Sequence, residues 1–137
     1  MFMAKIYVAG KLWDKEDRNK IEEVDRFLQD LGHKTFLPHR DAGVYEEGID
    51  PIPIFKKDRD MVDWCDVMVA LLDWQGISSG TAWELGYAHA KNKPVIGLVE
   101  DKETLTKKYR ICVMCFNPSV KLVENFKDLK KELNKLI

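Results

Sequence analysis

The chain has 137 residues, of which 45% are hydrophobic and 33% charged, and 22 basic against 23 acidic side chains leave a net charge of −1. That length suits one domain over residues 1–137 and leaves too little chain for a second core. The balanced charge without a basic run argues against nucleic acid as a partner, and no stretch approaches the ~20 apolar residues of a membrane span or a cleavable signal, so the expected address is the cytoplasm.

Taken in order, Lys5 to Ala9 is a short apolar run ending at Gly10 and reads as a first strand. Asp17 to Leu31 carries Ile21, Val24, Phe27, Leu28 and Leu31 at helical spacing, and Gly32 stops that helix. Lys34 to Leu37 suits a second strand, after which Pro38, His39 and Arg40 enter a loop rich in Gly, Asp and Pro that runs to Pro53. A loop this long in a compact domain is usually functional or mobile. Pro53 fits the first turn of a helix reaching about Trp64, and Asp66 to Leu72 reads as a strand buried on both faces. A polar loop over Asp73 to Ser79 leads into a helix from about Gly80 to Lys91. Pro94 to Val99 is the next buried strand, Arg110 to Phe116 the expected fifth, and Val123 to Leu136 an amphipathic C-terminal helix.

Strands separated by helices imply an α/β fold, since a parallel crossover needs a dozen or more residues. The expected architecture is a doubly wound five-stranded parallel sheet, a flavodoxin-like three-layer sandwich, whose ligand sits beyond the carboxyl ends of the strands. That rule gathers the loops after Ala9, Leu37, Leu72 and Val99 around one site. The cysteines, Cys65, Cys112 and Cys115, are odd in number and lack zinc-type pairing with His33, His39 or His89. They are expected to be buried free thiols, without a disulfide frame or metal, and no cofactor is implied.

Three places stand out chemically. On a helix turning ~100° per residue, Ile54, Phe55, Met61, Val62 and Cys65 share one face, and Asp58 falls near the middle of that stripe. A carboxylate aimed into apolar surroundings must be paired, hydrogen-bonded or neutralised, so Asp58 is either a structural partner of a loop or arginine, or a functional acid. The turn Ser78-Ser79-Gly80-Thr81 opens the helix that carries Glu84, and free amides at such a start favour anionic or polar ligand groups. Thr81 and Glu84 also have the spacing of a capping box, in which both merely satisfy the helix start. Tyr7 lies in the first strand, where a tyrosine is core or catalyst, ahead of Gly10 and Lys11. Two carboxylates and a phenol converging at the ligand edge suit glycosyl transfer, in which one carboxylate attacks the sugar and an acid helps the base leave.

The segments Ile6-Tyr7-Val8-Ala9-Gly10 and Ile54-Phe55-Lys56-Lys57-Asp58, Asp66 before its strand, and Gly80-Thr81-Ala82-Trp83-Glu84-Leu85-Gly86-Tyr87-Ala88-His89 together resemble the nucleoside 2-deoxyribosyltransferase family. The likeness, in order and at family spacing, spans roughly residues 5 to 100. It implies that Glu84 is the nucleophile, that Asp58 is the acid contacting the departing base and the sugar, and that Tyr7 positions the nucleophile. The substrate class implied is a 2'-deoxynucleoside, or its 5'-monophosphate in the related N-hydrolases, and the assembly implied is a homo-oligomer with shared active sites. Where many family transferases carry an aspartate for the sugar hydroxyl, this chain has Ser78, which with Ser79, Gly80 and Lys11 would suit phosphate. Leu12 and Trp13 instead suit packing on a base or sugar. Cys112 falls about where the family places an asparagine or serine that reaches a neighbouring site, with Asn117 and Ser119 as alternatives. A nucleotide-binding or sensing domain without turnover is the reading of a different class.

Overall fold

The computed structural model describes residues 3–72, 77–103 and 112–136. In chain order these form β1 (Lys5–Ala9), α1 (Lys15–Asp30), β2 (Lys34–Phe36), α2 (Pro38–Asp41), α3 (Ile52–Trp64), β3 (Val67–Leu71), α4 (Ser79–Ala90), β4 (Val95–Leu98), β5 (Val120–Val123) and α5 (Phe126–Leu136). The five strands pair in parallel in the order β2-β1-β3-β4-β5, the doubly wound arrangement expected from the sequence. The chain reverses its direction of growth across the sheet between β1 and β3, which makes that junction the switch point where ligands bind.

Side-chain alternation along β1 divides the core. Ile6 and Val8 join Ile21, Val24 and Leu28 of α1 and Leu129 and Leu133 of α5 on one face. Tyr7 and Ala9 face the other way, joining Val62 of α3 and Leu85 and Ala88 of α4. Helix α1 is capped by Asp14, whose side chain accepts the Asp17 amide at 2.8 Å. Helix α2 was not anticipated: Pro38 at its start supplies a fixed φ, and Arg40 ties it to α1 through Asp25 at 2.8 Å.

The sequence misplaces the fifth strand. Residues 110 and 111 lie outside the described residues, and from Cys112 to Phe116 the chain makes a turn in which Cys112 carbonyl accepts the amides of Cys115 and Phe116 at 3.0 and 3.2 Å. The apolar run there serves two environments: Cys115 and Phe116 pack against the α3/α4 core, whereas Val113 and Met114 are exposed. The true edge strand follows Pro118, and α5 begins after Asn125, which caps it by accepting the Asp128 amide at 2.8 Å. Cys65 and Cys115 are buried as expected, but Cys112 is exposed.

Candidate active site

Helices α3 and α4 lie on the face to which β1 sends Tyr7, and the three chemical candidates meet there. The Tyr7 hydroxyl donates a hydrogen bond to Oε2 of Glu84 across 77 residues of sequence. Glu84 is free for this because the helix start is satisfied without it. Ser78 is the N-cap, its Oγ accepts the Thr81 amide at 3.2 Å, and it lies 2.8 Å from the Thr81 hydroxyl. The capping box of Thr81 and Glu84 is therefore not formed, and Glu84 stands in the second turn, facing the sheet. An aromatic ladder fixes α3 against α4: Phe55 meets Trp83 edge to face at 5.3 Å, Trp83 stacks on Tyr87 at 5.0 Å, and the Tyr87 hydroxyl donates to Asp63 at 2.9 Å. The ladder brackets Asp58 and Glu84 in both helices and so holds their separation.

Among the described residues, Oδ1 of Asp58 is a buried atom without a hydrogen-bond partner. Such an atom is costly to leave unmet and calls for an explanation. The structural alternative for Asp58, a loop cap or an arginine pair, finds no support in that oxygen. Its surroundings push Asp58 up to about 6 through burial. Glu84 is pushed up to about 8, first by burial and further by the negative charge of Asp58, while the Tyr7 hydrogen bond acts in the opposite direction. Tyr7 is raised well above its ordinary value by burial and by the two carboxyl groups. At neutral pH the carboxyl pair therefore holds one proton between its members.

A cleft of about 330 Å³ opens over these groups, lined by Gly10, Leu12 and Trp13 after β1, Pro38 after β2, Phe55 and Asp58 of α3, and Ser78, Gly80, Thr81, Trp83 and Glu84 at the start of α4. That size suits a small organic ligand, and the wall is mostly apolar with a few convergent polar groups. Gly10 permits the approach of β1 to its neighbours, because a Cβ there would meet Ile21 Cδ1 at 3.0 Å and Leu71 Cβ at 3.3 Å. Of the residues singled out in the sequence, Gly10, Trp13, Asp58, Ser78, Gly80 and Glu84 line the cleft, and Tyr7 lies behind Glu84. Three do not line it. Lys11 sits in a separate shallow depression with Asp17, Lys20 and Leu71, Ser79 is the first residue of α4 outside the lining, and Cys112 is on an exposed turn. The loop after Val99 also borders a different depression, with Leu98, Glu124 and Phe126.

Pro38, Phe55, Thr81 and Trp83 were not singled out as ligand contacts. Trp83 had a legible sign, since it falls off the stripe of Thr81, Leu85 and Ala88, whereas Phe55 shares the apolar stripe of its helix, and only the structure shows that each keeps more than two-fifths of its surface exposed. The expected apolar stripe of α3 is correspondingly split. Val62 and Cys65 enter the core, while Phe55 turns to the cleft.

The class these features define is a flavodoxin-like α/β fold with a carboxyl pair and a phenol at the switch point of its sheet. The chain belongs to the nucleoside 2-deoxyribosyltransferase family, whose sequence model matches residues 6–133. It is similar to a protein of Thermofilum pendens named as a 2'-deoxynucleoside 5'-phosphate N-hydrolase, at 29% identity over 99 residues that cover 69% of this chain and 66% of the relative, just under two thirds of its length. A 2-deoxyribosyltransferase from Bacillus psychrosaccharolyticus superposes with a TM-score of 0.77 at 25% identity, covering 97% of this chain and 96% of that one. A CMP N-glycosidase from Clostridium botulinum shares the fold, with a TM-score of 0.63 at 21% identity over 97% of this chain and 99% of the other. Membership places the chain in a family named for glycosyl transfer.

Proposed function

We propose that this chain cleaves the N-glycosidic bond of a 2'-deoxynucleoside and passes the sugar to a second base, with Glu84 as nucleophile, Asp58 as acid and Tyr7 as the group that positions Glu84. The observation that carries this reading is the unpartnered Oδ1 of Asp58 in a cleft that the Tyr7-bonded carboxyl of Glu84 also lines. In the forward step an oxygen of Glu84 forms a bond to the anomeric carbon as the bond from that carbon to the base nitrogen breaks. The electron pair of that bond goes to the base, which takes its proton from Asp58. The ester on Glu84 is then broken when the nitrogen of a second base, or a water, attacks the same carbon, with the Glu84 carboxylate leaving and the proton of the attacking group passing to ionised Asp58.

The reacting form has Glu84 ionised and Asp58 protonated, the less populated arrangement of a pair in which Glu84 holds its proton more tightly. Tyr7 works against that disadvantage, since its hydrogen bond favours the ionised carboxylate. Aromatic and apolar walls from Leu12, Trp13, Phe55 and Trp83 suit a planar base.

Hydrolysis of the 5'-monophosphate is the second reading, supported by the Thermofilum pendens relative and by the helix start at Ser78. Against it, no lysine or arginine lines the cleft among the described residues, which leaves a phosphate with helix amides and the hydroxyls of Ser78 and Thr81 but no cation. The test is chromatographic base release from paired 2'-deoxynucleosides and monophosphates, each with and without a second free base, using Glu84→Ala as the blank. A new nucleoside formed with the added base supports transfer. Base released only from monophosphates makes the chain an N-hydrolase, and nucleotide binding without Glu84-dependent release makes it a non-catalytic binder.

A further inference from the structure

Cys112 and Cys115 bracket one turn that packs against the α4 side of the core, away from the cleft. The hydrogen bond from the Cys115 amide to the Cys112 carbonyl closes this turn at 3.0 Å. Such an i to i+3 closure holds the two Cα atoms within about 7 Å, a range overlapping the ~4.4–6.8 Å that disulfides span. The turn is also anchored from behind, because Asn117 Nδ2 donates to the Leu85 carbonyl at 3.4 Å. The two thiols are unlike. Cys112 is exposed, and Cys115 is only 4% exposed beneath it.

Hydrogen bonds from the Cys115 amide, the Cys115 thiol and the Met114 amide all favour the Cys112 thiolate and hold its pKa below the usual thiol value. Cys115 is pushed up to about 11 by burial, by its hydrogen bond to Cys112 and by the charge of Cys112. The remaining cysteine is a useful contrast: Cys65 is buried, donates to the Val62 carbonyl at 3.1 Å and is likewise pushed up to about 11. One exposed attacking thiol therefore sits over one buried resolving thiol, and the third is sequestered.

We infer that Cys112 and Cys115 form a redox-active dithiol that closes to an intramolecular disulfide by exchange with a low-molecular-weight disulfide such as oxidised glutathione. In the first step the Cys112 thiolate attacks one sulfur of that disulfide, forming a mixed disulfide and releasing one thiolate, which takes a proton from water. Consuming Cys112 removes two of the three causes that hold the proton on Cys115, namely its charge and its hydrogen bond. Cys115 then loses its proton to solvent and attacks the Cys112 sulfur, expelling the second low-molecular-weight thiolate. Two cysteine thiols are oxidised and one disulfide is reduced to two thiols. This chemistry is independent of the glycosyl reading.

The test uses the full reduced chain in oxidised glutathione, quenched with acid, alkylated with a maleimide under denaturing conditions and weighed intact. The untreated chain takes up three maleimides, one for each cysteine, and the oxidised chain is expected to take up one and retain no glutathione. Peptide mapping should join Cys112 to Cys115. Cys115→Ala should stop at glutathionylated Cys112, and Cys112→Ser should acquire no glutathione. A wild-type chain that keeps three alkylatable thiols, retains glutathione as a stable adduct, or forms a bridge involving Cys65 would overturn the proposal.

Discussion

Strand β1 sends Ile6 and Val8 to one face of the sheet and Tyr7 and Ala9 to the other, and the two faces bury different chemistry. Under α1 and α5 the sheet-facing cluster is apolar, with Ile21, Leu28, Leu129 and Leu133 fully covered, and the buried carboxylate of α1, Asp25, is paired with Arg40 at 2.8 Å although its Oδ1 has no partner. Under α3 and α4 the same sheet covers a phenol linked to a carboxyl and stands beside a second carboxyl with an unmet oxygen. The first face lowers the free energy of the fold. The second buries an apolar cluster too, but its carboxyl pair raises that free energy, and the upward departure of Glu84 and Asp58 from their ordinary pKa values reports the cost. Function is expected where local stability has been given up.

This contrast is broken most sharply at Glu84. Replacing it with Gln is expected to lower base release by roughly 10⁴-fold or more, yet to stabilise the fold in alkali. The folded-state pKa of Glu84 is raised from 4.5 to about 8, so the stability tied to its proton is complete below the unfolded value and is lost as pH rises through about 8. Glu84 is partly exposed, so solvent screening leaves a gain of about 1–2 kcal/mol from the Gln variant at pH 9. Thermal melts of both proteins at pH 5 and pH 9 should show that gain only at pH 9.

Asp58→Asn should lower kcat/KM by about 10²- to 10⁴-fold and change the shape of its pH dependence. The wild-type profile should be a bell with limbs near the apparent values of the pair, about 6 and about 8: below, both carboxyls are protonated and no nucleophile exists, and above, both are ionised and no acid exists. The Asn variant should lose the alkaline limb. An unchanged bell would remove Asp58 from the acid role.

On the opposite face, Leu28→Ala should cost about 2–5 kcal/mol of stability in denaturant unfolding while the pH profile of the folded fraction stays that of the wild type. Tyr7→Phe removes a hydrogen bond that favours ionised Glu84, so kcat should fall by about 10- to 100-fold with the alkaline limb, where Glu84 gives up its proton, moved to higher pH. The smallest effect is expected at Phe55, whose edge-to-face contact with Trp83 forms the cleft wall. Phe55→Ala should raise KM by about 2- to 10-fold with little change in kcat.

Much of this was legible in the sequence, because strands buried on both faces and the helix of Asp17 to Leu31 advertise themselves by long apolar patterns. The expected strand at 110–116 failed for a physical reason. An apolar run serves equally for a strand and for a turn that buries Cys115 and Phe116, whereas the true edge strand is four residues long and half exposed. Asp58 was legible because it interrupts an apolar stripe. The release of Glu84 from capping was not, since Ser78 and Thr81 both offer hydroxyls at the helix start and only their geometry shows which one caps. Lys11 was drawn to the site by its position after β1, but that strand end places it in a different depression from Trp13.

The nucleophilic role of Glu84 is tested most directly by acid-quenching the wild-type chain during turnover of a 2'-deoxynucleoside without acceptor, then mapping the peptides by mass. A deoxyribosyl adduct is expected on Glu84, and it should disappear when a second base is added before the quench. Base release that proceeds in the Glu84→Ala variant, with no adduct on the wild-type peptide, would contradict that role.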